Sequence, residues 1–179
     1  MMVLGKLLSG GLCLVLAGSA LAGFEQVVRP PEDDYDAKPW QEQEVQLPEA
    51  PRPENLQAVY VSAATSNKFF VDGATLSVGS DGVVRYTLVV LTPEGGRNVS
   101  FEGMRCATKE RRIYASGRAD GSWSKSRAAQ WSRIQDAASN RQYAALYLEY
   151  FCNGGAIVRN ADEARSLLKR GGISGSTMW

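Results

Sequence analysis

The chain has 179 residues, 44% of them hydrophobic and 22% charged, with a formal net charge of +1 and no histidine. That size and balance suit one folded domain with some tail. The missing imidazole removes the commonest general base, the commonest metal ligand and the usual pH switch near neutrality.

The first 22 residues read as a secretory signal peptide. Lys6 supplies a basic start, Leu12 to Ala17 an apolar core, and Ala20-Leu21-Ala22 the small-x-small cleavage pattern, so cleavage is expected between Ala22 and Gly23. Gly10, Gly11, Gly18 and Ser19 interrupt the apolar run, which is shorter than the roughly 20 residues needed to span a bilayer. Cys13 lies inside the apolar core rather than at the cut, which argues against a lipoprotein. No transmembrane segment is expected after cleavage, and the expected location is the periplasm, with at most peripheral association with the envelope.

Charge is divided along the remainder. Residues 23–55 hold nine acidic and three basic residues and six of the seven prolines; residues 56–179 hold sixteen basic and ten acidic. An acidic, Pro-rich, partly flexible arm (23–55) therefore precedes a basic body (56–171) and a short tail (172–179). Opposite charge predicts that Glu42, Glu44 and their neighbours lie against the body. Pro48, Pro51 and Pro53 exclude a helix and favour an extended path.

Strand signals follow at 56–62, 68–71, 75–78, 83–91, 98–106 and 111–116, punctuated by Asp72-Gly73, Ser80-Asp81-Gly82 and Thr92-Pro93-Glu94-Gly95-Gly96. For the central hairpin, setting Leu91 opposite Asn98 with a bulge at Gly103 puts Met104 and Cys106 beside Tyr86 and Val84. Arg85, Thr87, Ser100, Glu102 and Arg105 then form a polar row on the other face. Three helices are expected next. Ala128, Trp131, Ile134 and Ala138 mark the first; Tyr143 to Phe151, after Asn140, the second; and Leu167-Leu168, with Asn160 and Glu163 as a capping box and Gly171 as the stop, the third. Strands first and helices later predict an α+β fold, a mainly antiparallel sheet with two or three C-terminal helices packed on it.

The exported chain keeps two cysteines, Cys106 and Cys152. In an oxidising compartment they are expected to form a disulfide joining the hairpin to the second helix; two buried free thiols are the alternative.

Phe70-Val71-Asp72, Leu76 to Leu88, Asn98 to Cys106, Tyr114-Ala115, Trp123, Trp131 and Tyr150-Phe151-Cys152, with Trp40 and Leu47-Pro48 upstream, resemble the cryptic neisserial protein-like family of proteobacterial envelope proteins. The resemblance runs from about Trp40 to Gly171. It implies export to the Gram-negative envelope and supports the pairing of Cys106 with Cys152. It carries no established activity and no catalytic residues.

Within the polar row, Arg85, Glu102 and Arg105 are the candidate binding residues, suited to a carboxylate or phosphate; a solvated sheet face with cross-strand ion pairs is the plain alternative. Lys109, Arg111, Arg112 and Arg118 around Tyr114 form a basic patch, for which the acidic arm is a more economical partner than nucleic acid. Trp40, Trp123 and Trp131 are expected to be core or arm anchors rather than ligand contacts. No nucleophile elbow, phosphate loop or EF-hand is present. No metal site, cofactor or catalytic residue is expected. The leading expectation is a non-enzymatic binding or accessory module whose partner is another envelope protein. Alternatives are a small anion- or lipid-binding protein using the basic sheet face, and a histidine-independent hydrolase or lyase built on Glu102 and arginines.

Overall fold

The computed structural model describes residues 39–128, 130–135, 137 and 140–175. The expected signal peptide with its Ala22–Gly23 cut, the leader up to Lys38, and residues 176–179 of the tail lie outside the described residues.

Eight strands form one antiparallel sheet: β1 (Leu56–Val59), β2 (Lys68–Asp72), β3 (Ser77–Val78), β4 (Val83–Leu91), β5 (Arg97–Arg105), β6 (Glu110–Gly117), β7 (Trp123–Lys125) and β8 (Ser132–Arg133). Their order is β1-β2-β4-β5-β6-β7, with β3 also on β4 and β8 also on β6. Two C-terminal helical segments pack on the sheet. The first begins as α1 (Arg141–Ala145) and continues as a π-helix over Leu146–Phe151; the second is α2 (Ala161–Lys169). Between them β9 (Cys152–Asn153) and β10 (Ala156–Ile157) form a small separate hairpin. The fold is α+β, as the order of strand and helix signals implies.

Helix α2 starts where its capping signal lies, with Glu163 N donating to Asn160 Oδ1 at 2.9 Å. The helix expected around Trp131 does not form. Ser132 and Arg133 pair instead with Arg111 and Glu110 of β6, and Ile134 N donates to Lys109 O. Trp131 and Ile134 are separate anchors of a loop, so their helix-like spacing reflects two docking points rather than one amphipathic face.

The main core lies between the sheet and the helices. Val71, Val84, Tyr86, Leu88 and Met104 from the strands meet Leu146, Tyr150, Phe151 and Leu168. Cys106 and Cys152 are joined by a disulfide, with Cα atoms 5.4 Å apart. It ties the end of the central hairpin to the end of the π-helix.

The central register differs from the expected one. Leu91 pairs with Arg97, not Asn98, and β4 and β5 stay in step from there to Val83 opposite Arg105. The five intervening residues close symmetrically: Thr92 N donates to Gly96 O, Gly95 N to Thr92 O, and Gly95 takes the left-handed φ of 86° that a side chain would strain. A one-residue slip exchanges the two faces of a strand. Ser100 and Glu102 therefore share the helix-facing side with Tyr86 and Leu88, while Val99, Phe101 and Arg105 lie on the opposite side with Arg85 and Thr87. No bulge occurs at Gly103 between these strands. The irregularity is in the next pairing, where Phe101 meets Ala115 and Glu102 meets Ile113, leaving Tyr114 as the extra residue. The expected register assumed one apolar face; the sheet has two, because the side away from the helices is also covered.

Candidate functional site

That covering is the arm. From Pro39 onward it belongs to the same compact unit as the body, and its contacts centre on two side chains. The Glu42 carboxylate receives Arg112 Nη1, Tyr114 Oη at 2.6 Å and Trp131 Nε1 at 3.2 Å, with Arg85 Nη2 at 3.8 Å. Trp40 donates from Nε1 to Asp81 O, meets Trp131 edge-on, and lies beneath the Arg105 guanidinium, 3.7 Å from its ring centroid. Further along, Trp123 Nε1 holds Pro48 O at 2.7 Å, and Phe101 packs between Tyr114 and Trp123.

Local structure explains how this side is built. The bulge turns Tyr114 toward the arm, and its ring crosses Gly103 so closely that a Cβ there would collide with the hydroxyl. Asp81, in the β3–β4 turn, binds Arg85 Nη2 at 2.6 Å and accepts from Gln43 N. Burial opposes ionisation of Asp81, but Arg85 and the Gln43 and Val83 amides outweigh it and hold the carboxyl below the usual range. Burial and the hydrogen bond to Glu42 push the Tyr114 hydroxyl well up, so it remains a proton donor.

Arg85, Glu102 and Arg105, expected to work together, are not brought together. Arg85 and Arg105 lie on the arm side, committed to Asp81, Glu42, Trp40 and, for Arg105, Glu110 at 3.2 Å. Glu102 is on the helix side with no solvent exposure. The basic face imagined as an anion site is thus filled by the chain's own acidic arm, and Arg111 of the patch stacks instead on Tyr143, 3.8 Å from its centroid.

The helix side holds a different feature. The helical segments cover only one end of that face. At the other end a cleft of about 670 Å³ remains, within the range of ligand-binding pockets. Phe69, Leu88, Val90 and Ile113 give it an apolar floor, and the 61–67 loop and Arg141–Tyr143 form walls. Ser100 and Ser116, paired across β5 and β6, bring hydroxyls to it, and Asn98, Arg141 and Gln142 bring amide and cationic groups. Arg97, at its edge, stands opposite Leu91 on the arm-side face of β5 and also lines a hollow beside Pro51 and Trp123.

Glu102 closes the inner wall. Ser100 Oγ donates to Glu102 Oε1 at 2.5 Å, Tyr143 Oη approaches the same oxygen at 3.4 Å, and Tyr86 Oη donates to Oε2 at 3.1 Å. Burial raises the Glu102 pKa, against the lowering pull of these hydroxyls and of Arg111. Tyr143 is pushed up to about 12 by burial and by Glu102, so it too stays protonated. Sequence reasoning found Glu102 and Ser100 but placed them on the wrong face, and it missed Arg141 and Ser116. The pairing signal Ser100–Ser116 was recoverable only from the correct hairpin register.

A model of the CNP1-like family matches residues 35–169. No curated protein matches the chain, and no solved structure does.

Proposed function

This chain belongs to the CNP1-like family, and we propose that it is an exported envelope protein acting as a non-enzymatic binding module, with the cleft beside Glu102 as its binding site. The observation that carries this reading is the unequal treatment of the two sheet faces. One is sealed by the Trp40–Glu42 segment, whereas the other keeps a cleft of about 670 Å³ lined by polar side chains above an apolar floor. Export is supported by the signal-like start of the sequence and by the Cys106–Cys152 bond, a pairing favoured in oxidising compartments. Among the described residues no helix is long and apolar enough to cross a membrane.

Binding rather than turnover is favoured by the state of Glu102. It has no solvent exposure, and three hydroxyls occupy its oxygens. A general base needs an oxygen within reach of a substrate proton. Native mass spectrometry of protein taken directly from the periplasm tests the reading. A small molecule released on denaturation, and missing from a Ser116→Trp variant that obstructs the cleft, is the expected result. Identical masses with and without denaturation, together with no saturable binding from a periplasmic small-molecule extract, would refute it.

The short Ser100–Glu102 contact supports a second reading, a hydrolase in which Glu102 activates Ser100. In that case Glu102→Gln would retain ligand and lose turnover.

A further inference from the structure

We propose that the cleft takes a small hydroxylated organic acid, of the sugar-acid kind, bound through its anionic group by Arg141 and through its hydroxyls by Ser100, Ser116 and Asn98. The proposal rests on the binding reading above and adds the chemistry of the ligand.

The first ground is charge. Among the described residues lining the cleft, the ionisable cations are Arg97 and Arg141, and the acid is Glu102. Arg97 stands opposite Leu91 on the arm-side face of β5, and Glu102 has no exposure and sits behind Ser100 and Tyr143, so the accessible charge on the cleft side is the Arg141 guanidinium. It has no carboxylate partner among the described residues. Arg141 has one long contact, 3.5 Å to Ser62 Oγ, whereas Arg85, Arg105, Arg112, Arg159 and Arg165 are each paired with an acid. Guanidinium forks match carboxylate and phosphate oxygens.

The second ground is hydrogen-bond direction. Ser100 and Tyr143 both direct their hydroxyl protons to Glu102 Oε1, which leaves oxygen lone pairs for the cleft. Such groups accept, so they call for ligand hydroxyls or N–H groups. Asn98 and Ser116 add groups that both donate and accept. A plain fatty acid would leave these groups unmet, at the usual cost of desolvated polar atoms. A neutral sugar would leave Arg141 unused. A hydroxylated acid satisfies both sets, with Leu88 and Val90 under its carbon skeleton.

Isothermal titration of the oxidised protein with D-glucuronate, glucose 6-phosphate, D-glucose and octanoate tests this. Saturable binding of glucuronate or glucose 6-phosphate is expected, and their ratio tells carboxylate from phosphate recognition. Arg141→Gln, at an exposed position, should weaken that binding roughly ten- to a hundredfold, with unchanged circular dichroism melting. Arg159→Gln, which does not line the cleft, should leave it unchanged. Glucose binding as tightly as glucuronate, octanoate binding while both sugar acids fail, or affinity indifferent to Arg141 would each overturn the proposal. Glucose or octanoate bound in the cleft would leave the binding-module reading standing. No ligand released from protein taken from the periplasm, together with no saturable binding from its small-molecule extract, would end that reading as well.

Discussion

Tyr114 Oη donates to Glu42 Oε1 at 2.6 Å, joining residues 72 positions apart in the sequence. The bond exists because a bulge in β6 frees Tyr114 from strand pairing and because Glu42 lies on an arm of opposite charge to the body. It makes the arm a structural layer of the domain, and it fixes which sheet face stays available.

Removing Glu42 should therefore cost more than removing an ordinary surface acid. Glu42→Ala strands Tyr114, Trp131 and the half-buried Arg112 without their acceptor. A loss of about 2–3 kcal/mol in urea denaturation is expected. Glu49→Ala, which breaks an exposed pair with Arg52, should stay within about 0.5 kcal/mol. Equal effects would show that the arm adds nothing specific.

Gly103 offers a separate check on the same layer. An Ala methyl there must displace the Tyr114 hydroxyl, and the expected cost is about 1–3 kcal/mol. The same change in a Tyr114→Ala background should cost much less, because the obstructing ring is gone. A double-mutant cycle gives the coupling directly, and simple additivity would contradict the packing described.

Glu102 predicts a pH dependence of defined sign. Its folded pKa is raised above the usual 4.5, chiefly by burial, so the native state holds a proton that the unfolded chain releases. Stability is then lost as pH climbs from about 4.5 through the raised folded value, by up to about 1.4 kcal/mol per pH unit. Glu102→Gln lacks this titration, so its stability relative to the parent should improve between pH 4.5 and 8. Parallel urea-stability curves over that range would show that Glu102 ionises without penalty.

The disulfide closes a loop with a sequence separation of 46. The Cys106→Ala/Cys152→Ala double variant should lose on the order of 3–4 kcal/mol. Reductant should lower the melting temperature of the parent and leave that of the variant unchanged. A parent unaffected by reductant would argue that the bond carries no part of the stability.

Much of this architecture is legible in the chain. β-Branched and aromatic runs mark β4 and β5, Asn160 and Glu163 mark the start of α2, and the charge division anticipates the docked arm. What misled was the face assignment. Val99 and Phe101 are apolar, which by itself favours the face of Val90 and Leu88; they are apolar because Trp123 and the arm cover the other side. Nothing local says that a segment some 50 residues upstream supplies that cover. The same blindness turned Trp131 and Ile134 into a helix, since a contact to Trp40 or Glu42 leaves no periodicity of its own. The cleft was illegible for a related reason. It is defined by where the helices stop covering the sheet, which follows from packing lengths rather than from any motif.

The most direct test of the account is a backbone amide NMR titration of the folded protein with a periplasmic small-molecule extract. Saturable shifts should be confined to the cleft, at Ser62, Ser100, Ser116 and Arg141 to Tyr143, while Trp40 of the arm and Arg85 and Arg112 beneath it stay still. Shifts centred on the arm-covered face, or no saturable shift anywhere, would contradict the assignment of this protein as a binding module that works through its helix-side cleft.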